Sequence, residues 1–370
     1  MLVDRILEDI PQPARCAISE ITFEALRAAG HFLIWGTGRA ARHAIENCAR
    51  RNLTPDCVCD SFPHAEGDTF EGFPLFSSEA AFSRYPQCTA LISCAVEFGI
   101  ADILKAKGIP YYEWDTAFML DSFSGKPLDV LMRENKEKIE TVYRLLADEK
   151  SRLTFENEFR YRLTLDLNYI RSVLDTHVYF DNDVISKVDC GAFVDCGAYF
   201  GDTLDDFIRS PSCRCKRYYA LEPDPESFKR LSAYVKSKHL ENDFVRLLPV
   251  AAWEDKTVVM FNGVGNGGSC VTESGNVTVQ ADSIDNIVSG ELEVGYIKMD
   301  VEGGEIQALH GAKKTIQENH PILGISIYHH KQDLWEIPLL IHEMNPSYKL
   351  YIRHHFLNIG DSVCYAIDKS

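Results

Sequence analysis

Apolar runs that end in an acid and a glycine recur along the second half of this chain, and apolar positions at helical spacing follow them. In Ala192-Phe193-Val194-Asp195-Cys196-Gly197-Ala198-Tyr199-Phe200-Gly201-Asp202-Thr203 the run stops at Asp195, and the turn opens a helix through Leu204, Phe207 and Ile208. Strands buried on both faces, each feeding a helix, belong to open, mostly parallel α/β sheets. Arg217-Tyr218-Tyr219-Ala220-Leu221 makes a second strand that ends at Glu222-Pro223-Asp224. Gly295-Tyr296-Ile297-Lys298-Met299-Asp300-Val301-Glu302-Gly303-Gly304-Glu305 runs from a third into an acidic, glycine-softened turn. Further strands are predicted at 257–261, 277–281, 322–327, 348–353 and 363–367, with helices over 305–318 and 333–343.

The first part of the chain repeats the pattern on a smaller scale. His31-Phe32-Leu33-Ile34-Trp35 is a predicted strand, Gly36-Thr37-Gly38-Arg39-Ala40-Ala41 a G-x-G-x-x-A turn, and Ala41, Ala44, Ile45 and Cys48 form one helical face. Cys57-Val58-Cys59 makes a strand ending at Asp60, where a ribose-binding acid is expected. A strand is predicted over 91–95 and a helix over 100–107, stopped by Gly108. From Leu128 to Asp175 there is neither glycine nor proline, while Leu131, Ile139, Val142, Leu145, Leu146, Leu153 and Phe155 recur at near-helical intervals. The expected organisation is therefore a smaller Rossmann-like α/β domain over 1–122, a helical connector over 123–183, and a larger α/β domain over 184–370.

Composition narrows the class. The chain has 370 residues, ample for two cores, and its 45% apolar and 25% charged content is that of an ordinary globular protein. A formal charge of −17 argues against nucleic acid or an anionic membrane as partner, since both require a basic footprint. The 12 cysteines include Cys57, Cys59, Cys94, Cys196 and Cys364 inside apolar strands, where free cysteine behaves as a small hydrophobe. Cys57-x-Cys59 and Cys213-x-Cys215 lack the spacing of zinc or redox sites. With no signal-peptide layout and no span-length apolar stretch, the expected location is the cytoplasm.

The chemistry is read from the turn at Gly197. A pyrophosphate-binding turn begins with glycine in G-x-G-x-x-G, whereas this one reads D-x-G-x-x-x-G. A leading carboxylate repels pyrophosphate and pairs with an ammonium, which suits S-adenosylmethionine better than NAD. Glu222, at the end of the second strand, has acceptor sites for both hydroxyls of a ribose. Asp300, Glu302, His329 and His330 come from the ends of two central strands and are the candidate bases for deprotonating a hydroxyl acceptor. Only one of the adjacent histidines is expected to face it.

Together with Ile325-Ser326-Ile327-Tyr328-His329-His330 and Asp333-Leu334-Trp335-Glu336-Ile337-Pro338, these segments resemble the FkbM-type family of S-adenosylmethionine-dependent methyltransferases. The resemblance runs from the middle of the chain to its end. It implies a Rossmann-like class I methyltransferase fold, with the cofactor held by Asp195, Gly197, Ala198, Tyr199, Gly201, Asp202, Thr203, Glu222, Pro223, Ala251 and Asp300. It also implies O-methylation of a carbohydrate or natural-product acceptor. The first domain resembles the Rossmann-like modules of sugar-modifying enzymes, which makes Gly36, Gly38, Arg39 and Asp60 a candidate second nucleotide site, with Arg42 nearby, for the nucleotide of an activated sugar.

Two readings from other classes stay open: an NAD-dependent oxidoreductase using the Gly36 turn, and a non-catalytic scaffold with a methyltransferase fold. No metal-ligand set is called for, although Asp282, Asp285 and Asp300 are acids available to a divalent ion. Gly263, Gly265, Gly267 and Gly268 around Asn266 suit either a loop over the ligand or a long turn. His354-His355 is expected to lie toward the sheet edge. The expected partner is a small acceptor, a sugar or sugar nucleotide, and a homo-oligomer is compatible with the chain.

Overall fold

In the computed structural model the described residues are 1–10, 18–93, 99–114, 126–164, 166, 168–240, 244–262, 270–271, 275, 277–288, 292–356 and 360–368. They form two compact units, one of Met1–Asn135, Glu156–Ser172 and Phe356–Ile359, the other of Lys136–Phe155, Val173–His355 and Gly360–Ser370. The helices of the predicted connector are apportioned between them: Leu128–Glu134 and Asn168–Arg171 lie in the first unit, Lys136–Leu145 in the second, and the boundary falls within Glu149–Thr164. Among the described residues no helix is long and apolar enough to cross a membrane.

The first unit is built on β1 (His31–Trp35), β2 (Cys57–Asp60), β3 (Thr69–Phe70), β4 (Phe73–Ser77), β5 (Cys88–Ile92) and β6 (Tyr111–Glu113), ordered β3-β4-β2-β1-β5-β6. All neighbours are parallel except the β3–β4 hairpin. Side chains alternate across the sheet. Leu33, Trp35, Cys57, Cys59, Ala90 and Ile92 pack with Ile100, Ala101 and Leu104 of the helix Ile100–Lys107. Phe32, Ile34, Val58 and Leu91 pack instead with Ala41, Ala44 and Cys48 of the helix Arg39–Arg50. The strand expected over 91–95 begins earlier, at Cys88, and Cys94 and Ala95 lie outside the described residues.

The second unit holds β7 (Val188–Cys196), β8 (Cys213–Leu221), β9 (Val245–Leu248), β10 (Val250–Ala252), β11 (Thr257–Asn262), β12 (Cys270–Val271), β13 (Val277–Asp282), β14 (Val294–Met299), β15 (Ile322–Ser326), β16 (Tyr348–His354) and β17 (Ser362–Asp368). Its main sheet has seven strands in the order β16-β17-β15-β14-β7-β8-β9, parallel from β15 to β9 and antiparallel at β17 and β16. The chain moves outward from β7 to β8 and β9, then returns beside β7 as β14. The switch point, where open α/β sheets bind ligands, therefore lies at the carboxyl ends of β7 and β14. Phe193 stacks between Tyr218 and Tyr296 on the flanking strands, with ring centroids 4.8 and 4.6 Å apart, and this ladder pins the register beneath those ends.

Two features depart from the sequence reading. Strands β11 and β13 do form, but with β10 and β12 they make a separate four-stranded sheet in the order β10-β13-β11-β12. The helix expected over 305–318 is two helices, Glu305–His310 and Lys313–Asn319, broken at Gly311. A Cβ on Gly311 would stand 1.9 Å from the Trp253 carbonyl oxygen, so a non-local approach of backbone sets the break.

Candidate active site

The carboxyl ends of β7, β8, β14 and β15 converge by design of their turns. Gly197 follows β7 with φ +78°, and a Cβ there would lie 1.9 Å from the Asp300 carbonyl oxygen beyond β14. Glycine is thus what lets the two strand ends close on each other. The Asp300 N–H in turn donates to the Cys196 carbonyl at 3.1 Å. Tyr199 and Glu302 both take left-handed backbone conformations, at φ +48° and +56°, which marks the two turns flanking the switch point as strained.

Four N–H groups of the Gly197 turn are spent internally. Those of Gly197 and Ala198 donate to the Leu221 carbonyl at 3.0 and 2.9 Å, that of Gly201 to Ala198 at 2.9 Å, and that of Tyr199 to Glu222 Oε2 at 2.8 Å. Asp202 is exposed and Thr203 buried in the first turn of the helix Asp202–Arg209. Glu222 is 6% exposed and accepts a second N–H, from Asp224, on Oε1 at 2.8 Å. Burial pushes its carboxyl up to about 7 against the pull of those two N–H donors. Pro223 is half-buried beside it, and Ala251 is buried in β10.

Asp195 stands differently from the expectation drawn from its sequence position. Its side chain is fully buried, its Oδ1 lies 3.0 Å from Lys298 Nζ, and its Oδ2 accepts the Tyr218 hydroxyl at 2.7 Å. Lys298 is the register partner of Asp195 across β7 and β14 and also donates to the Gly197 carbonyl at 2.7 Å. The ammonium that meets Asp195 therefore comes from the protein, and the carboxylate anchors the turn from below rather than facing a ligand. A lone lysine in the apolar run Tyr296-Ile297-Lys298-Met299 was the signal for this pair.

Beyond β14 and β15 the structure brings together Asp300, Glu302 and His329. His329 is 3% exposed; its Nδ1 lies 3.0 Å from Glu305 Oε1, and its Nε2 lies 3.5 Å from both Asp300 Oδ1 and Glu302 Oε2. Asp300 accepts the Tyr328 hydroxyl on Oδ1 at 3.0 Å and the Tyr179 hydroxyl on Oδ2 at 3.2 Å. Burial opposes its charge, but Lys298, His329 and the Tyr328 hydroxyl outweigh it and hold the carboxyl below its ordinary range. Burial raises Glu302, with the Asp300 and Glu305 carboxylates adding to the rise and His329 opposing it. Burial also disfavours charge on His329, yet Glu305 and Glu302 lift it well above an ordinary histidine. Glu305 accepts the N–H groups of Val301 and Gly303 at 2.9 and 3.1 Å and so fixes the turn.

His330 points elsewhere. Its N–H donates to Asp333 at 2.6 Å and its Nε2 lies 3.3 Å from the Gly303 carbonyl, so it braces the turn rather than joining the carboxylates. His354 and His355 are buried, the first 2.9 Å from the Ser362 hydroxyl and the second 3.0 Å from the Tyr365 hydroxyl. Asp282 and Asp285 are capping residues: Asp282 accepts from Ser283 N and Asn286 Nδ2, and Asp285 from Lys314 N and from Thr315 N and Oγ1. Glu305, Tyr179 and Tyr328, outside the site residues expected from the sequence, join the cluster of Asp300 and His329. Residues 263–269, the glycine-rich segment, lie outside the described residues.

In the first unit Gly36 has φ +134°, and its N–H donates to the Cys59 carbonyl at 2.8 Å. Asp60, at 9% exposure, accepts from Phe62 N at 2.8 Å and from Thr37 Oγ1 at 3.3 Å, and lies 2.7 Å from His64 Nε2. Arg42 pairs with Glu71 at 2.7 Å. Gly38 caps the helix that begins at Arg39. The carboxylate expected to meet a ribose is thus engaged by its own loop.

Comparison with known proteins finds a family model that matches part of the second unit. Residues 195–349 match the methyltransferase FkbM domain. No curated protein matches the chain in sequence. Among solved structures, a methyltransferase FkbM from Methylobacillus flagellatus aligns over 99% of both chains at 23% identity and a TM-score of 0.75, a likeness of fold. An rRNA methylase from Streptococcus thermophilus aligns over 50% of this chain and 89% of its own at 14% identity and a TM-score of 0.31. Spermidine synthase from Thermotoga maritima aligns over 48% and 53% at 10% identity and a TM-score of 0.29.

Proposed function

We propose, from the match of residues 195–349 to the methyltransferase FkbM domain, that the chain transfers a methyl group from S-adenosylmethionine to a hydroxyl of a small acceptor, a carbohydrate or a hydroxylated natural product. The observation that carries the choice of cofactor is the turn at Gly197. The N–H groups of Gly197, Ala198, Tyr199 and Gly201 are already bonded within the protein, which weakens the turn as a cradle for a pyrophosphate, while Glu222 at its mouth keeps acceptor capacity for two vicinal hydroxyls. S-adenosylmethionine supplies an electrophilic methyl on a sulfonium, so the protein needs to supply alignment and a place for a proton.

Glu222 holds the ribose end, and Tyr199, fixed by its N–H bond to Glu222, shapes the turn around it. Alignment of acceptor and methyl contributes about 7–11 kcal/mol when the geometry is well fixed. Asp300 and Glu302 are 23% and 31% exposed, open on the side from which an acceptor arrives, with His329 closed behind them. These groups concentrate negative charge beside the acceptor hydroxyl and take up its proton, an effect of about 10²–10⁴-fold. The family resemblance and the cluster of candidate bases support this acceptor class.

The test is a labelled-methyl transfer assay with the whole chain and a panel of sugars, sugar nucleotides and hydroxylated natural products. Label in a base-stable ether supports the proposal. Label recovered as a base-labile ester or on nitrogen overturns the hydroxyl acceptor. Quenching or enhancement of nicotinamide fluorescence by the chain, with no S-adenosylmethionine turnover, favours the oxidoreductase instead.

A further inference from the structure

We propose that Asp300, Glu302 and His329 bind a divalent cation of the Mg²⁺ and Mn²⁺ type, with Glu305 orienting the imidazole. The first observation is spacing. Donor atoms of Asp300, Glu305 and His329 lie within 4.8 Å of one another, and His329 Nε2 stands 3.5 Å from both Asp300 Oδ1 and Glu302 Oε2. Ligands at right angles about 2.1 Å from an ion stand about 3.0 Å apart, so a small closure of Asp300 Oδ1 and Glu302 Oε2 on His329 Nε2 brings each to ligand spacing from it. An imidazolium paired with carboxylates draws in to about 2.7–2.9 Å instead.

The second observation is the imidazole itself. His329 is 3% exposed, and its Nε2 is buried, aimed between two carboxylates, and hydrogen-bonded to neither. On the far side of the ring, Nδ1 faces Glu305, whose oxygens are held by Val301 N and Gly303 N. A carboxylate behind the non-ligating nitrogen is the arrangement that sets the tautomer and direction of a metal-bound histidine. An ion bound on the opposite side displaces the Nε2 proton and takes its lone pair, while Nδ1 stays toward Glu305.

Charge points the same way. Asp300, Glu302 and Glu305 surround one imidazole, and Lys298, which also stabilises the Asp300 carboxylate, is bonded to Asp195 and the Gly197 carbonyl. Two carboxylates with one imidazole favour a hard ion over zinc or copper, whose sites are richer in nitrogen or sulfur. The carboxylate side is partly open to solvent, at 23% and 31% exposure for Asp300 and Glu302. A cation there lowers the pKa of a bound hydroxyl; this consequence rests on the function proposed above, whereas the site itself does not.

The probe is Mn²⁺ added to the full chain, followed by the loss of the free-ion paramagnetic resonance signal. About one ion per chain is expected to bind, with saturation below about 1 mM. Electron spin-echo modulation of the bound ion is expected to show a directly coordinated imidazole nitrogen, lost in His329→Gln. Asp300→Asn and Glu302→Gln are expected to weaken binding at least about tenfold, and Glu305→Gln by about 10–100-fold with an altered nitrogen coupling. Absence of binding by the unaltered chain, or bound Mn²⁺ without nitrogen coupling, overturns the proposal whatever the variants do. Binding of S-adenosylhomocysteine, read separately by calorimetry, keeps the two proposals apart. Mn²⁺ binding without it removes the proposed function alone, and the reverse outcome removes the cation site alone.

Discussion

At the scale of single residues, the buried charges separate support from chemistry. Asp195 and Lys298 are both closed to solvent and satisfy each other, with Tyr218 and the Gly197 carbonyl as second partners. Removing one member of such a pair leaves a buried charge unmatched. Lys298→Met is therefore expected to cost about 3–5 kcal/mol in urea unfolding, and the double change Asp195→Leu with Lys298→Met less than that. His330 and Glu302 divide in the same manner. His330→Ala removes a brace on the Gly303 turn, whereas Glu302→Gln removes a carboxylate of the proposed base cluster. Glu302→Gln is expected to lower turnover by about 10²–10⁴-fold with S-adenosylhomocysteine affinity nearly unchanged. A large loss of cofactor affinity in that variant would place Glu302 at the wrong subsite. Acids at strand ends were legible in the sequence, but their orientation was not. Asp195 and Glu222 both close apolar strands, and only the threading of Lys298 opposite Asp195 turns the first inward.

At the scale of elements, the strand ends meet because particular side chains are missing. Gly197→Ala introduces a Cβ where 1.9 Å separates it from the Asp300 carbonyl, in a conformation of φ +78° that L-residues avoid. Backbone strain alone accounts for about 1–2 kcal/mol. The clash adds to it, and the expected result is a lower urea midpoint together with loss of S-adenosylhomocysteine binding. Unchanged stability would show that the turn relaxes without cost. The main strands β7, β8, β14 and β15 were legible as apolar runs, and the pattern of Ala41, Ala44 and Cys48 gave the helix face buried against β1. The small sheet was not legible as a separate sheet, because alternation in Thr257–Asn262 and Val277–Asp282 specifies faces but not partners. Nor was the break at Gly311, whose cause is the distant Trp253 carbonyl.

At the scale of the whole molecule, burial of a neutral histidine gives the second unit a dependence on acid. His355 is 5% exposed, and burial pushes it down to about 4, with His354 and Arg353 adding to the fall and Asp175 opposing it. Its folded pKa lies below the unfolded value of about 6.5. The unfolded chain therefore takes up the proton first as pH falls, and the stability present above pH 6.5 is lost progressively toward pH 4. For this residue the loss by pH 4.5 amounts to about 2–3 kcal/mol. His329, whose pKa is raised, acts in the opposite sense, contributing stability below its unfolded value that fades as pH rises through its folded one. The comparison is therefore of unaltered chain with His355→Gln, in which Oε1 still accepts from Tyr365. The urea midpoint of the variant is expected to fall less between pH 7 and pH 4.5. Parallel falls would show that His355 does not titrate against folding.

The account rests on cofactor recognition at the ends of β7 and β8, and calorimetry with S-adenosylhomocysteine tests it most directly. The unaltered chain is expected to bind, and Glu222→Ala to lose about 1.5–3 kcal/mol, or roughly ten- to a hundredfold in affinity, through the charge-assisted hydrogen bonds to the ribose. The circular dichroism spectrum of the variant serves as the check that it is folded. Equal affinity in a folded Glu222→Ala protein, or no binding by the unaltered chain, would contradict the account.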